Sequence, residues 1–100
     1  MFFASLTLHL PNGNRSTSFM LDSGSQFFIV PRSAALSMGL RPHGMTSVMT
    51  ADGQTPMEFT EISVSHHGEE PVRMQALLGP DNVWICGYLG ISHFGLLQQP

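Results

Sequence analysis

The sequence predicts an all-β domain with one or two short helices, and three observations predict it. From Ala4 to Leu10 the residues alternate, with Leu6, Leu8 and Leu10 on one face and Ser5, Thr7 and His9 on the other, the period of a half-buried strand. Apolar runs rich in β-branched and aromatic residues flank Asp22-Ser23-Gly24-Ser25, so two buried strands are expected to meet at a glycine turn. Asp52-Gly53 lies between two further strand-like runs, a strong hairpin signal.

Taken in order, the first strand turns at Pro11-Asn12-Gly13-Asn14 and returns as Arg15 to Leu21, which delivers Asp22 to its turn. Phe27 to Val30 leaves that turn as a third strand. Pro31 suits the first position of a helix, Ala34, Ala35, Leu36 and Met38 favour one, and Gly39 suits its stop, so a helix of about two turns is expected. After the breakers Arg41-Pro42-His43-Gly44, strands over Met45 to Thr50 and Thr55 to Val64 are joined by Ala51-Asp52-Gly53-Gln54. Ser65-His66-His67-Gly68 turns the chain into Val72 to Leu78, and Gly79-Pro80-Asp81-Asn82 breaks it again. Val83 to Cys86 reads as a short buried strand, Gly87 and Gly90 as points of close backbone passage, and Ser92 as the N-cap of a last short helix.

One hundred residues make a single domain over 1–100, near the size where association adds stability to a small core. Charged residues are 11% against roughly 25% in ordinary soluble domains, and 42% are hydrophobic, so some apolar surface is expected to face a partner. With no Lys, four dispersed Arg and a net charge of -3, a basic face for nucleic acid is absent. No apolar run approaches the roughly 18 residues of a membrane span, and Met1-Phe2-Phe3 lacks the basic start of a signal peptide, so a soluble cytoplasmic chain with no membrane partner is expected. Cys86, the sole cysteine, allows no internal disulfide.

Asp22 is the residue that needs a reason. A lone buried carboxylate is costly, which leaves it as a turn-capping acid, hydrogen-bonded to the local backbone, or as a functional one. The run from Phe19 to Ser25, with apolar residues leading into Asp-Ser-Gly-Ser, resembles the active-site turn of the retropepsin family, the single-domain aspartic proteases of retroviruses, LTR retrotransposons and related cellular and bacterial proteins. Three further landmarks agree in order and spacing. Pro31 to Leu40 resembles the helical segment ending in Gly-Leu, Ala51-Asp52-Gly53 resembles the flap tip, and Tyr88 to Phe94 resembles the second signature, an apolar pair and Gly leading into a short helix. The closing Leu-Gly-x-x-x-Phe-x-Leu-x-x-x-Pro string leans toward retrotransposon members.

The resemblance implies a small closed β-barrel-like acid-protease fold, an aspartic endopeptidase activity without cofactor or metal, and a peptide or polyprotein substrate bound extended. Such chemistry needs two carboxylates sharing one proton. Of Asp22, Asp52 and Asp81 only Asp22 is followed by Ser-Gly, so the second acid must come from the other subunit of a homodimer, on its two-fold axis. The resemblance further implies that Asp22 is catalytic, that Ser23 reaches to the other subunit's turn, and that Gly24 lets backbone approach. Ser25 is expected to donate to the Asp22 carboxylate, Ala51, Asp52, Gly53 and Gln54 to close over substrate, and Leu89 and Gly90 to form the loop beside the active-site turn. Two departures stand out: Ser92 replaces the Asp or Asn common in relatives, and the short tail Leu96 to Pro100 leaves little strand to interleave between subunits.

Other features read more plainly. His66 and His67 are adjacent, so they are expected to point apart on a surface turn, and with His9, His43, His93 and Cys86 they lack the recurring spacing of a metal site. Cys86 and Trp84 suit the core, and the seven Met residues suit core filling or an adaptable groove. The rival readings are a catalytically silent retropepsin-like domain that dimerises or binds peptide strands, and a β-barrel ligand-binding protein, which would leave the Asp22 turn unexplained.

Overall fold

The computed structural model describes residues 1–96, seven strands and two short helices. Strand β1 (Phe2–Leu10) pairs along its whole length with β2 (Gly13–Leu21), so that Leu10 faces Gly13 and Phe2 faces Leu21. Then come β3 (Phe28–Pro31), α1 (Arg32–Ser37), β4 (Gly44–Thr50), β5 (Gly53–Ser65), β6 (Val72–Gly79), β7 (Ile85–Cys86) and α2 (Tyr88–Phe94). The sheet order is β1-β2-β7-β3-β6-β5-β4, with an extra pairing of β1 to β5 through Thr7↔Ser65 and Leu8↔Val64. That pairing closes six of the strands into a barrel-like ring and leaves β4 outside it, attached only to β5.

The alternation of β1 is realised: Leu6 and Leu8 are buried and meet Phe19, Phe28, Val30, Ile62, Val64 and Ala76 in one core. Phe19 packs edge-on against both Phe28 and Trp84, at 5.4 and 5.7 Å between ring centroids. Such pairs add about 0.5–1.5 kcal/mol each to simple area burial. Trp84 is only half-buried; it closes the core from outside, with the Arg15 guanidinium 5.3 Å above its ring.

Four expectations need correction. Pro31 ends β3 in an extended conformation, φ -61° and ψ 133°, and the helix starts at Arg32; pairing of Pro31 with Gly79 holds it in the sheet. Only Ile85 and Cys86 of the run Val83 to Cys86 form a strand, because β7 is a two-residue wedge between β2 and β3. The last helix begins at Tyr88, not Ser92. Its first N–H groups bond to carbonyls of the Asp22 turn, which replaces any side-chain cap. His66 and His67 do not point apart: His67 adopts φ 53° and the rings approach to 3.8 Å between centroids. Residues 97–100, where the short-tail reading and the end of the retrotransposon-type string fall, lie outside the described residues.

Long strand β5 has two roles. Its second half, Phe59 to Val64, pairs with β6 in the barrel, and its first half pairs with β4 as a projecting hairpin. Among the described residues no helix is long and apolar enough to cross a membrane.

Cys86 sits fully buried beneath the turn, and burial pushes its thiol from 9.0 to about 12. The unfolded chain releases that proton from about pH 9 upward while the folded chain keeps it, so this contribution to stability is complete below pH 9 and is lost as pH rises towards 12. Urea unfolding at about pH 8 and about pH 10.5 should therefore give a fall in stability that is smaller in Cys86→Ala, whatever that variant's baseline.

Candidate active site

The turn from Asp22 to Phe27 connects β2 to β3, two strands that do not pair with each other because β7 lies between them. Its conformation is fixed by main-chain bonds. Asp22 N–H donates to the Cys86 carbonyl at 3.1 Å and Ser25 N–H to the Asp22 carbonyl at 3.1 Å. From the other side, Tyr88 N–H donates to Ser25 O at 2.7 Å and Leu89 N–H to Gln26 O at 3.1 Å. Gly87 makes the approach feasible: a Cβ there would lie 2.3 Å from Phe27 O and 2.6 Å from Ser25 O. At Gly90 a Cβ would collide with Cys86 Sγ at 2.6 Å and the Phe28 ring at 2.7 Å. Close passage at both glycines is thus realised. Leu89 and Gly90 do not form a loop, however; they lie in the first turn of α2, whose start is docked on the turn.

Asp22 is half-buried, and its Oδ1 accepts a hydrogen bond from Gly24 N–H at 2.9 Å. A Cβ on Gly24 would stand 3.1 Å from the same oxygen, tighter than ordinary contact, so glycine leaves room around the carboxylate. The Ser25 hydroxyl does not reach Asp22. It donates to Phe27 O at 2.9 Å, because the turn carries the carbonyl two residues ahead back over the serine. Ser25 therefore stiffens the turn. Ser23 is exposed at the turn's outer surface.

Asp22, Gly24, Ser25, Gln26 and Phe27 form one side of a cleft of about 430 Å³, and Ser47, Val48, Met49 and Thr50 of β4 form the other. Ile29 and Leu77, paired across β3 and β6, and Met57 of β5 complete the lining. Among the described residues Asp22 is the only carboxylate lining it. Sequence reasoning missed the β4 residues, Met57 and Leu77. The β4 residues form a continuous run up to the hairpin tip, so the strand's edge and backbone, and not one alternating face, border the cleft. Leu77 had no local signal, because its place depends on a parallel pairing between distant strands.

The tip itself is a two-residue loop, Ala51-Asp52, since Thr50 already pairs with Gly53. Gly53 takes the positive φ, +106°, and Gln54 belongs to β5. Thr50 Oγ1 donates to Gly53 O at 2.9 Å and accepts from Asp52 N–H at 3.3 Å, so the tip is held by its own threonine. At the base, the His43 N–H bonds Phe59 O, buried Thr60 Oγ1 bonds Arg41 O at 2.7 Å, and Arg32 pairs with Glu58. Among the described residues no group of three or more His, Cys, Asp or Glu could hold a metal ion.

A barrel-like ring with an Asp-Ser-Gly turn beside a cleft and a hairpin on the cleft's other side is the acid-protease fold. The family model for aspartyl proteases matches residues 6–93, and the chain belongs to that family, in its retropepsin-like form. Among solved structures it is similar to the simian foamy virus (mac) protease in solution, with a TM-score of 0.66, 15% identity and 99% of both chains covered. It is also similar to the EIAV protease complexed with the inhibitor HBY-793, with a TM-score of 0.74, 15% identity, and 99% of this chain and 92% of that one covered. A third match, at TM-score 0.65 and 15% identity, is to the foamy viral protease-reverse transcriptase in complex with an RNA/DNA hybrid; it covers 98% of this chain but 12% of that longer one. Comparison with curated proteins gave no significant match.

Because Ser25 bonds the backbone and not the carboxylate, Ser25→Ala is expected to cost about 1 kcal/mol of stability, the usual worth of one such bond. The limbs of the pH profile of peptide cleavage should stay in place. Parallel urea titrations and cleavage profiles of the two proteins would check both halves.

Proposed function

We propose that the chain is one subunit of a homodimeric aspartic endopeptidase, with Asp22 of two copies as its catalytic acids. The observation that carries this reading is the single carboxylate of the cleft, Asp22, on a turn held by backbone hydrogen bonds beneath a projecting hairpin. Two such carboxylates brought together on a two-fold axis share one proton, since both cannot readily ionise side by side. The ionised member takes a proton from a water as that water attacks the scissile carbonyl carbon, while the protonated member donates to the carbonyl oxygen. The tetrahedral diol then collapses: the C–N bond breaks, the amine nitrogen takes up a proton, and the dyad returns to one proton. Gly24 N–H keeps the carboxylate oriented through this exchange. Ser23, exposed on the turn, is placed to reach the opposing turn.

Substrate fits as an extended strand. The cleft offers the backbone of β4 on one side and apolar side chains such as Phe27, Ile29 and Met57 around it, so main-chain pairing gives affinity and the pockets select peptide or polyprotein side chains. Residues 51 to 54 form the tip that closes over the bound strand and excludes water.

Asp22→Asn is expected to lower kcat by about 10²–10⁴-fold or more in a peptide-library cleavage assay while the circular dichroism spectrum stays unchanged. Specific activity of the native chain should fall on dilution, in step with the dimer fraction from sedimentation. Undiminished cleavage by a proven monomer would sink the shared-dyad reading.

Gly53→Val probes the hairpin separately. Nothing lies within 4 Å of a Cβ there, so the cost comes from forcing a β-branched residue to φ +106°, and it falls on the tip, away from the core. Turnover should drop several-fold with little change in the urea midpoint; parent-rate cleavage by the folded variant would remove the flap role.

A further inference from the structure

The segments that frame the Asp22 turn are depleted of charge. Residues 16–31 contain one charged side chain, Asp22; residues 2–10 and 82–96 contain none beyond His9 and His93. His9 is at the far end of β1, hydrogen-bonded to Ser65, and His93 is in the last turn of α2, packed on Phe94. Within these segments Asp22 is thus the one charged side chain beside the turn.

Large apolar side chains also stand in solvent beside the turn. Phe2 is 55% exposed although it sits on the core-facing side of β1, in line with buried Leu6 and Leu8. It faces Leu21 across the hairpin, so it extends the core face past the last covered layer, one residue from Asp22. Tyr88 and Leu89 are 48% and 42% exposed, on the α2 turn whose N–H groups grip Ser25 and Gln26. Two different elements thus present aromatic and aliphatic surface beside the one turn that lacks its second carboxylate.

We infer that Phe2, Tyr88 and Leu89 form an apolar collar on which a second copy of this chain seats, so that burial of hydrocarbon and not ion pairing holds the two Asp22 turns together. The inference rests on the shared-dyad reading, which supplies the occupant: the cleft is incomplete without another Asp22, and a two-fold axis beside that residue brings each collar against its mate. No Arg or Lys lies in these segments to form an ionic link across the axis. Hydrophobic association strengthens in excluded salts such as sulfate, whereas ion pairs weaken as salt rises. The collar also gives a role to three of the exposed apolar residues of a chain with few charges, while exposed Leu36 on α1 and Met45 and Met49 on β4 lie outside it.

Sedimentation equilibrium of the full chain, with and without added sodium sulfate, combined with cleavage of one peptide at matched concentrations, tests this. Dimer dissociation should become weaker as sulfate is added. Leu89→Glu and Tyr88→Glu should each raise the dimer Kd at least about tenfold, a change of about 1.4 kcal/mol, and lower activity in proportion to dimer lost. Leu36→Glu, on the exposed side of α1, should leave the Kd unchanged. Where a Glu variant loses its native circular dichroism, Leu89→Gln and Tyr88→Gln carry the test. Folded collar variants with the native Kd and native activity would overturn the collar and leave the dyad standing, as would a dimer that dissociates more readily in sulfate. An active monomer, or a chain that neither dimerises nor cleaves, would overturn the shared dyad and the collar with it.

Discussion

The structure depends on the contact between two backbones: the turn from Asp22 to Phe27 and the stretch from Cys86 to Leu89. Three hydrogen bonds cross between them, and at Gly87 the chains are so close that a single added carbon would lie 2.3 Å from a carbonyl oxygen. The turn has no strand pairing of its own, and the other stretch passes from the two-residue β7 straight into α2. The turn borrows α2's first N–H groups, and α2, which has no side-chain cap, borrows the turn's carbonyls. Each satisfies polar groups that the other would leave unpaired, which is why the Asp22 carboxylate can be presented without a long element beneath it. Phe28 and Cys86, packed around Gly90, transmit the same constraint into the core.

The hairpin opposite is built on the reverse principle. Its base is tied at Phe59, Thr60 and Glu58, whereas its tip is held only by Thr50 and by the β4–β5 ladder. Local opening is cheapest where few buried contacts must break, so motion is expected at the tip while the arms keep their register. A turn held by backbone hydrogen bonds thus faces a hairpin whose tip has fewer ties than its base. The exposed Met49 on the hairpin side and the half-buried Met57 add side chains that adapt in shape at small cost.

Size and composition act together here. A barrel of this length encloses one compact core, and among the large apolar residues left exposed, Phe2, Tyr88 and Leu89 stand beside the Asp22 turn, while Leu36 is on α1 and Met45 and Met49 are on β4. With no charged side chain but Asp22 in residues 16–31 and none beyond His9 and His93 in residues 2–10 and 82–96, these segments carry little like-charge repulsion.

Local chemistry was legible in the sequence. Alternation in β1, the hairpins at Gly13 and Gly53, the glycine turn at Asp22 and the need for small residues at Gly87 and Gly90 all follow from residue types and near neighbours, which act over a few residues. What the sequence could not supply are the pairings between distant segments. The β1–β5 seam that closes the ring, the wedge of β7 between β2 and β3, and the parallel pairing that brings Leu77 beneath the cleft have no local code. Those contacts also explain where the local reading erred. Ser92 is a good N-cap by itself, but α2 starts four residues earlier because Ser25 and Gln26 carbonyls accept its first N–H groups. Ser25 was a plausible donor to Asp22 by proximity, yet the fold returns Phe27 O to it first. The sequence determined which residues have the chemistry; the tertiary structure decided which partners they meet, because a hydrogen bond is won by the acceptor that folding brings within reach.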